Sequence, residues 1–166
     1  MSSHPEEEKK FNEEDRKGER FLSFSLGSED YAIPLLIVKE VIAVPEVTPV
    51  PFTASHFLGV MNLRGQIISV VDLRIKLGIN IQAAGPETSV IICNLTPLCL
   101  GFSVDSVHSV LSPQIGEISN KPDVQSGRNT DYIIGAFRHN EKMIMILDIA
   151  RALNLENIQD LTHKKR

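Results

Sequence analysis

The sequence predicts an all-β fold with short helices, arranged as two small, similar β-barrels that pack on each other. Three observations support this prediction: apolar residues alternate in short runs, turn formers separate the runs, and one pattern of strand, turn, strand and capped helix occurs twice. The 166 residues suit one domain of ordinary size, and a hydrophobic content of 42% is enough to form its core.

The folded part is expected to begin with a hairpin. FLSFSL and YAI alternate with period two on either side of a glycine-containing turn, which predicts strands near Phe21–Leu26 and Tyr31–Ile33. Pro34 suits the first position of a helix, and the following LLIVKEVI has apolar residues at helical spacing. We therefore expect a weak helix of about two turns that includes Glu40, since β-branched residues disfavour longer helices.

A second hairpin is predicted in the segment LGVMNLRGQIISVVDLRIKL. Two apolar runs flank Arg64 and Gly65, which form a two-residue loop with glycine where a positive φ is needed. Asp72 is expected to cap the N-terminus of a short helix, LRIKL, and Gly78 to end it. Arg64 is therefore expected at an exposed loop tip.

The unit of hairpin and capped helix occurs twice. LGVMNLRGQIISVVDLRIKL aligns without gaps with IGAFRHNEKMIMILDIARAL 76 residues later, and AIPLLIVKEVI aligns with GFSVDSVHSVL 69 residues later. Apolar positions coincide whereas polar ones do not, although a chance match between two β segments is an alternative. We expect one barrel over roughly residues 20–88 and the other over 89–156, packed together because each is too small to be very stable alone.

Composition excludes several classes of function. Residues 1–19 are expected to form a disordered charged tail that is too polar for a signal peptide, and residues 157–166 a C-terminal tail. No apolar run reaches the ~20 residues that span a bilayer, so a cytoplasmic protein is expected. With 17 basic and 21 acidic residues the net charge is −4, which disfavours nucleic acid and anionic lipid as main partners.

No group of residues predicts catalysis, a cofactor or a metal. The five histidines lack zinc-site spacing, and no phosphate-binding loop or GxSxG elbow occurs, although Ser-His-Asp catalysis stays open because such residues need not be neighbours in sequence. Asp72 and its counterpart Asp148 are interpreted as helix caps. Cys93 and Cys99 are interpreted as inert buried thiols.

Two charged residues have no charged counterpart in the repeat. Arg64 corresponds to Asn140, and Glu40 corresponds to Ser109. Either charge is a solvated surface group or a contact for a partner, and an arginine is suited to bind a partner's carboxylate or backbone. If the two lie close together they are expected to pair on the surface, with a contribution to stability of only ~0–1 kcal/mol.

The segments FLSFSLGSEDYAIPLLIVKEVI and FLGVMNLRGQIISVVDLRIKLGI resemble the CheW family of bacterial chemotaxis coupling proteins, and the resemblance extends from about Glu19 to Leu155. It implies two five-stranded, SH3-like barrels around a common core, and we also expect a C-terminal helix. It further implies a non-enzymatic adaptor that holds the histidine kinase CheA, through its CheW-like regulatory domain, against the cytoplasmic tips of methyl-accepting chemoreceptors. The adaptor would thus reach membrane receptor arrays only indirectly, and would allow the receptors to control kinase autophosphorylation.

The resemblance also implies functional residues. Arg64 matches the arginine of the family's NLRG motif and Glu40 the glutamate of its V-x-E segment, both implicated in coupling. Positions associated with receptor or kinase contacts, the last two by a looser match, are Val38, Gly59, Gly65, Val107 and Val110. The chain departs from a minimal member in its charged N-terminal tail and in HNEKM at the second hairpin.

The sequence also allows other interpretations of the function. CheW-like domains also occur within larger proteins, but eleven residues after Leu155 are too few for a kinase or receiver domain, so a stand-alone adaptor is expected. An enzyme or small-molecule binding protein would instead need a convergent polar set in the cleft between the barrels. An RNA-binding barrel would need basic excess and surface aromatic residues.

Overall fold

A computed structural model describes residues 19–80, 85–120 and 131–154. The predicted tails lie outside the described residues, apart from Glu19. The described residues are mostly β-structure with short helices, as predicted. In chain order the strands are β1 (Phe21–Leu26), β2 (Glu29–Pro34), β3 (Val38–Ala43), β4 (Phe57–Leu63), β5 (Gln66–Asp72), β6 (Ser89–Asn94), β7 (Cys99–Val104), β8 (Ser106–Leu111), β9 (Ser119–Asn120), β10 (Ile133–His139) and β11 (Lys142–Leu147).

The helices are short and follow the hairpins. Helix α1 (Leu73–Leu77) follows β5 and helix α2 (Ile149–Ala152) follows β11, so the expected C-terminal helix has one turn within the described residues. Two 3₁₀ turns cover Leu35–Ile37 and Ile115–Glu117. As predicted, Asp72 caps α1 by accepting a hydrogen bond from the backbone N–H of Arg74, and Gly78 ends the helix with a left-handed φ of 69°.

The strands form two sheets with the same internal pattern. The five-stranded sheet has the order β3-β6-β7-β5-β4, and the other has the order β8-β1-β2-β11-β10 with the two-residue strand β9 added at its edge. Each sheet contains one parallel pair, β5 with β7 and β11 with β2, and antiparallel pairs elsewhere. The two sheets are the SH3-like subdomains.

The sheets correct the predicted division of the domain at residue 88. Strands β6 and β7, from the second copy of the repeat, pair with β3 and β5 of the first copy, respectively. Conversely, β1 and β2 of the first copy pair with β8 and β11 of the second. The repeat is real, but each copy contributes strands to both sheets, so the subdomains are interlocked rather than consecutive.

Three apolar clusters follow from this exchange. The largest contains residues of both sheets, including Phe24, Val71, Phe102 and Leu147, and forms the common core. The five-stranded sheet holds a smaller cluster around Ile68, and the six-stranded sheet holds another around its counterpart Ile144. Residues that are equivalent in the repeat therefore occupy equivalent places in the core.

The helix predicted in LLIVKEVI is wrong. After the short 3₁₀ turn the chain forms β3, which pairs with β6 in an antiparallel register. The corresponding segment of the second copy forms β8, so His108 lies on a strand rather than a helix. Both segments are rich in β-branched residues, and pairing with a distant strand decides between two local patterns that the sequence leaves almost balanced.

Candidate functional site

The candidate site is built on the β4–β5 hairpin. Leu63 and Gln66 are the last paired residues, and Arg64 and Gly65 form the two-residue loop between them. Their φ values of 51° and 85° are the two positive angles of a type I′ turn, and Asn62 stabilises the turn by accepting a hydrogen bond of 2.8 Å from the backbone N–H of Gly65. The loop thus fixes the starting direction of the Arg64 side chain.

Arg64 and Glu40 are brought together, as the sequence suggested they could be. Nη1 of Arg64 donates to both carboxylate oxygens of Glu40, at 3.1 Å to Oε1 and 2.9 Å to Oε2. The Arg64 side chain is 74% exposed and that of Glu40 is 23% exposed. Within the described residues the other guanidinium nitrogens of Arg64 have no partner, so one edge of the group faces solvent with its donors available.

Glycines 59 and 65 have different environments. Gly65 is exposed, with nothing within 4 Å of the position that a Cβ would take. Gly59 is buried in β4 with φ at 144°, and a Cβ there would overlap the backbone of Thr48, which bridges to β4 at Val60. Gly59 therefore permits a close approach of two backbone segments beneath the hairpin.

The three candidate valines lie on the two equivalent strands β3 and β8. Val38 and Val107 are partly buried and pack against the common core, at corresponding positions of the repeat. Val110 is 46% exposed, and its counterpart Val41 is 41% exposed. At these two pairs of positions, the strands show the same contrast between core contact and exposure.

An ion-pair network near α1 was missed by sequence reasoning. Arg74 binds both oxygens of Asp72 through Nε and Nη2, at 3.1 Å and 2.9 Å, and donates from Nη1 to Asp105 at 2.7 Å. The other oxygen of Asp105 accepts a hydrogen bond from the backbone N–H of Gly27 at 2.6 Å. The hydrogen bond to Asp72 is the main cause of a raised pKa for Arg74, whose side chain is only 7% exposed. The network connects α1 to two turns, and only its Asp-x-Arg part is visible in sequence.

A serine, a histidine and an aspartate do meet on the six-stranded sheet, but not as a catalytic triad. His108 Nε2 lies 2.6 Å from Ser25 Oγ, which also donates to Asp30 at 2.8 Å. Asp30 lies 3.5 Å from the same Nε2. In a triad the acid would hold the opposite ring nitrogen, and the serine proton would be directed to histidine. The arrangement is therefore a polar contact between neighbouring strands.

The remaining chemistry of the described residues is limited. No cluster of three or more His, Cys, Asp or Glu residues in this part of the chain could hold a metal ion, and no helix in it could cross a membrane. Burial raises the pKa of the Cys93 thiol to about 12, which keeps the thiol protonated at neutral pH. Cys99 is only partly buried, which corrects the interpretation of both cysteines as buried.

Comparison with known proteins gives consistent matches. The model of the CheW-like domain family matches residues 20–157. The chain is 34% identical over 141 residues to the chemotaxis protein CheW of Klebsiella aerogenes, with 85% of each chain covered. It is 30% identical to that of Bacillus subtilis, with 87% of this chain and 92% of the other covered. The crystal structure of the scaffolding protein TtCheW from Thermoanaerobacter tengcongensis has a TM-score of 0.73 and 31% identity, and the match covers 78% of this chain and 88% of that one.

Proposed function

The chain belongs to the CheW-like domain family, and we propose that it is the scaffold that couples chemoreceptor tips to the histidine kinase CheA. It is a non-enzymatic chemotaxis adaptor. In the proposal it works in the cytoplasm, is recruited to membrane receptor arrays through the receptors, and binds the CheW-like regulatory domain of the kinase. Receptor movement then changes how the kinase is held, and with it autophosphorylation.

The observation that carries the proposal is that two positions of the repeat are apolar and exposed in both copies, one copy on each sheet. Val41 and Ile67 in the first copy correspond to Val110 and Met143 in the second, and their exposures are 41%, 64%, 46% and 50%. Large apolar side chains gain nothing from solvent, so their presence in both copies favours surfaces that are covered in a complex. Two related surfaces are what a scaffold with two partners requires.

Arg64 is proposed as the recognition contact beside the first of these surfaces. An ion pair this exposed contributes only ~0–1 kcal/mol to stability, which gives little reason to place it for the fold alone. Its solvent-facing donors suit a partner's carboxylate or backbone carbonyl, and Glu40 holds the guanidinium in one orientation. In this proposal Gly65 gives the tip its turn, and Gly59 positions the hairpin from below.

The valines complete the proposed contact set. Val38 and Val107 are assigned to the rim of an apolar groove that takes the receptor tip, since both are partly exposed and rest on the common core. Val110 is assigned to the same surface by its exposure. Because the common core supports both strands, a partner bound to one sheet is mechanically connected to a partner bound to the other.

Reconstitution tests this proposal directly. Purified chain, kinase and receptor cytoplasmic fragments are mixed, and kinase autophosphorylation is measured with and without the chain. Receptor-dependent control that requires the chain supports the proposal. Absence of any effect with every cognate combination of kinase and receptor would refute it.

The role of Arg64 is tested by charge reversal. Arg64→Glu is expected to abolish receptor control of the kinase while the melting temperature changes little, because the side chain is at an exposed tip. Arg138→Glu is the matched control: it makes the same change at an exposed residue of β10 and should leave control intact.

A charge swap separates recognition from local pairing. Arg64→Glu combined with Glu40→Arg keeps an ion pair within the chain but reverses the charge offered to the partner. If recognition is the function of Arg64, receptor control stays lost in the double variant. Full recovery would show that only the internal pair matters.

A further inference from the structure

A cavity lies at the place where the second copy lacks the ion pair. Ser109 and Asn140, the counterparts of Glu40 and Arg64, line a cavity of about 300 Å³ between β8 and the β10–β11 hairpin. In the first copy the corresponding side chains, Arg64 and Glu40, are long enough to form hydrogen bonds with each other. In the second copy they are too short to meet, so the space stays open. Its volume is at the lower end of the range for ligand pockets and is sufficient for one side chain.

Most of the residues that line this cavity are polar. His139, Asn140 and Lys142, all from the β10–β11 hairpin, line the cavity. Within the described residues the side chains of His139 and Asn140 have no hydrogen-bond partner, and the ammonium group of Lys142 lies 3.8 Å from Asp30 Oδ2. Asp30 is the only carboxylate among the lining residues, and it already accepts from Ser25 next to His108. The His139 ring and the Asn140 amide thus each offer a donor without a partner, and the Lys142 ammonium group has three N–H donors, more than its contact with Asp30 uses.

From this arrangement we infer that the cavity is a binding site for an acidic side chain on a peptide segment of a partner protein. Lys142 and the Asn140 amide would donate to the entering carboxylate, with His139 beside them, and Asp30 would keep Lys142 directed toward the cavity. Charge-assisted hydrogen bonds to a carboxylate are stronger than bonds between neutral groups. The site is on the six-stranded sheet, whereas Arg64 is on the five-stranded sheet. The inference is independent of the proposed coupling role, because binding at this site needs neither kinase nor receptor.

The test is a nuclear magnetic resonance titration of the ¹⁵N-labelled full chain with a capped oligoglutamate peptide. Saturable shifts are expected at the amides of Ser109 and of residues 139–142, and not at Arg64. A capped oligoglutamine peptide of equal length should cause none. Shifts that do not saturate, or that are reproduced by oligoglutamine, would overturn the inference. Saturation of the same signals by inorganic phosphate but not by oligoglutamate would assign the cavity to a different anion and also overturn it.

Two variants locate the site. Lys142→Gln should weaken oligoglutamate binding about tenfold, the loss expected for one charge-assisted hydrogen bond. The matched control is Arg138→Gln, which removes the same charge from the same hairpin. Arg138 pairs with Met143 across the hairpin and does not line the cavity. Equal weakening by both would mean general charge attraction and would refute a built site.

A second variant fills the cavity by copying the first repeat. Ser109→Glu with Asn140→Arg should form the missing ion pair and abolish oligoglutamate binding. Asn140 has φ at 48° and Arg64 has φ at 51°, so the turn already provides the backbone that arginine uses in the first copy. Retained binding in this variant, with its spectrum showing a folded chain, would overturn the inference. If the variant fails to fold, the comparison of Lys142→Gln with Arg138→Gln still decides it.

Discussion

The β4–β5 and β10–β11 hairpins have the same backbone and different tips. Both turn through two residues with left-handed φ, at 51° and 85° for Arg64 and Gly65 and at 48° and 66° for Asn140 and Glu141. The first tip closes onto its neighbouring edge strand through an ion pair, whereas the second leaves a cavity there. Both hairpins have the same turn geometry because it matches the twist of the flanking strands, whereas the side chains at their tips differ.

The difference shows which residues the architecture needs. Apolar positions of the repeat fill the same places in the core, because a missing side chain there would leave a void. Polar positions at the tips and near the helix caps differ between copies, so they are free to serve binding or to add local stability. Matched substitutions in the two copies therefore separate the architectural requirements from the local ones.

The largest expected effect concerns the network around α1. Arg74→Met should lower the free energy of unfolding by about 3 kcal/mol, because it leaves Asp72 and Asp105 without the cation that both face. The nearest equivalent in the second copy is the exposed pair of Arg151 with Asp148, at 3.6 Å. Arg151→Met should cost less than about 1 kcal/mol. Urea unfolding of both variants measures the contrast, and similar losses would contradict it.

The next effect concerns the glycines beneath the hairpins. Gly59→Ala should destabilise the fold by about 3 kcal/mol, since the new Cβ would overlap the Thr48 backbone and φ is 144°. At the equivalent Gly135 a Cβ would lie 3.1 Å from the Ser119 carbonyl oxygen, without a positive φ, so Gly135→Ala should cost about 1 kcal/mol. Thermal unfolding distinguishes the two. Equal losses would show that the close approach at Thr48 relaxes easily.

Comparison of the two copies also shows which features of the fold and the site could be predicted from the sequence. The hairpins, the Asp72 cap and the Gly78 end were predictable because local rules determine them. The division into subdomains was not, because it depends on pairings such as β2 with β11 between distant segments. Arg64 and Glu40 could be identified as candidates because the repeat does not match their charges. Asp105 could not, because only the folded chain brings it to Arg74.

A smaller effect, of opposite sign, is expected at the second tip. Glu141 has φ at 66°, a conformation that costs a residue with a Cβ about 1 kcal/mol, and the corresponding residue of the first tip is glycine. Glu141→Gly should therefore raise the melting temperature by about 3 °C. Gly65→Ala should lower it by a similar amount. A neutral or negative result for Glu141→Gly would mean that added freedom of the unfolded chain offsets the relief of strain.

The smallest effect is a pH dependence confined to the first copy. Burial, with a smaller contribution from Lys76, lowers the pKa of His56 from 6.5, and its Nε2 is buried without a partner among the described residues. Protons therefore bind the unfolded chain more readily than the folded one, so this residue reduces stability as the pH falls below 6.5.

The backbone carbonyls of His56 and of Tyr132 in the second copy accept the same hydrogen bond, from the N–H of Asp72 and Asp148 respectively. His56→Tyr should retain that contact and reduce the loss of stability between about pH 7 and about pH 5.5, measured by urea unfolding. Lys76→Gln should reduce the loss less, because burial is the larger cause. An unchanged pH dependence in His56→Tyr would assign the acid sensitivity to other groups.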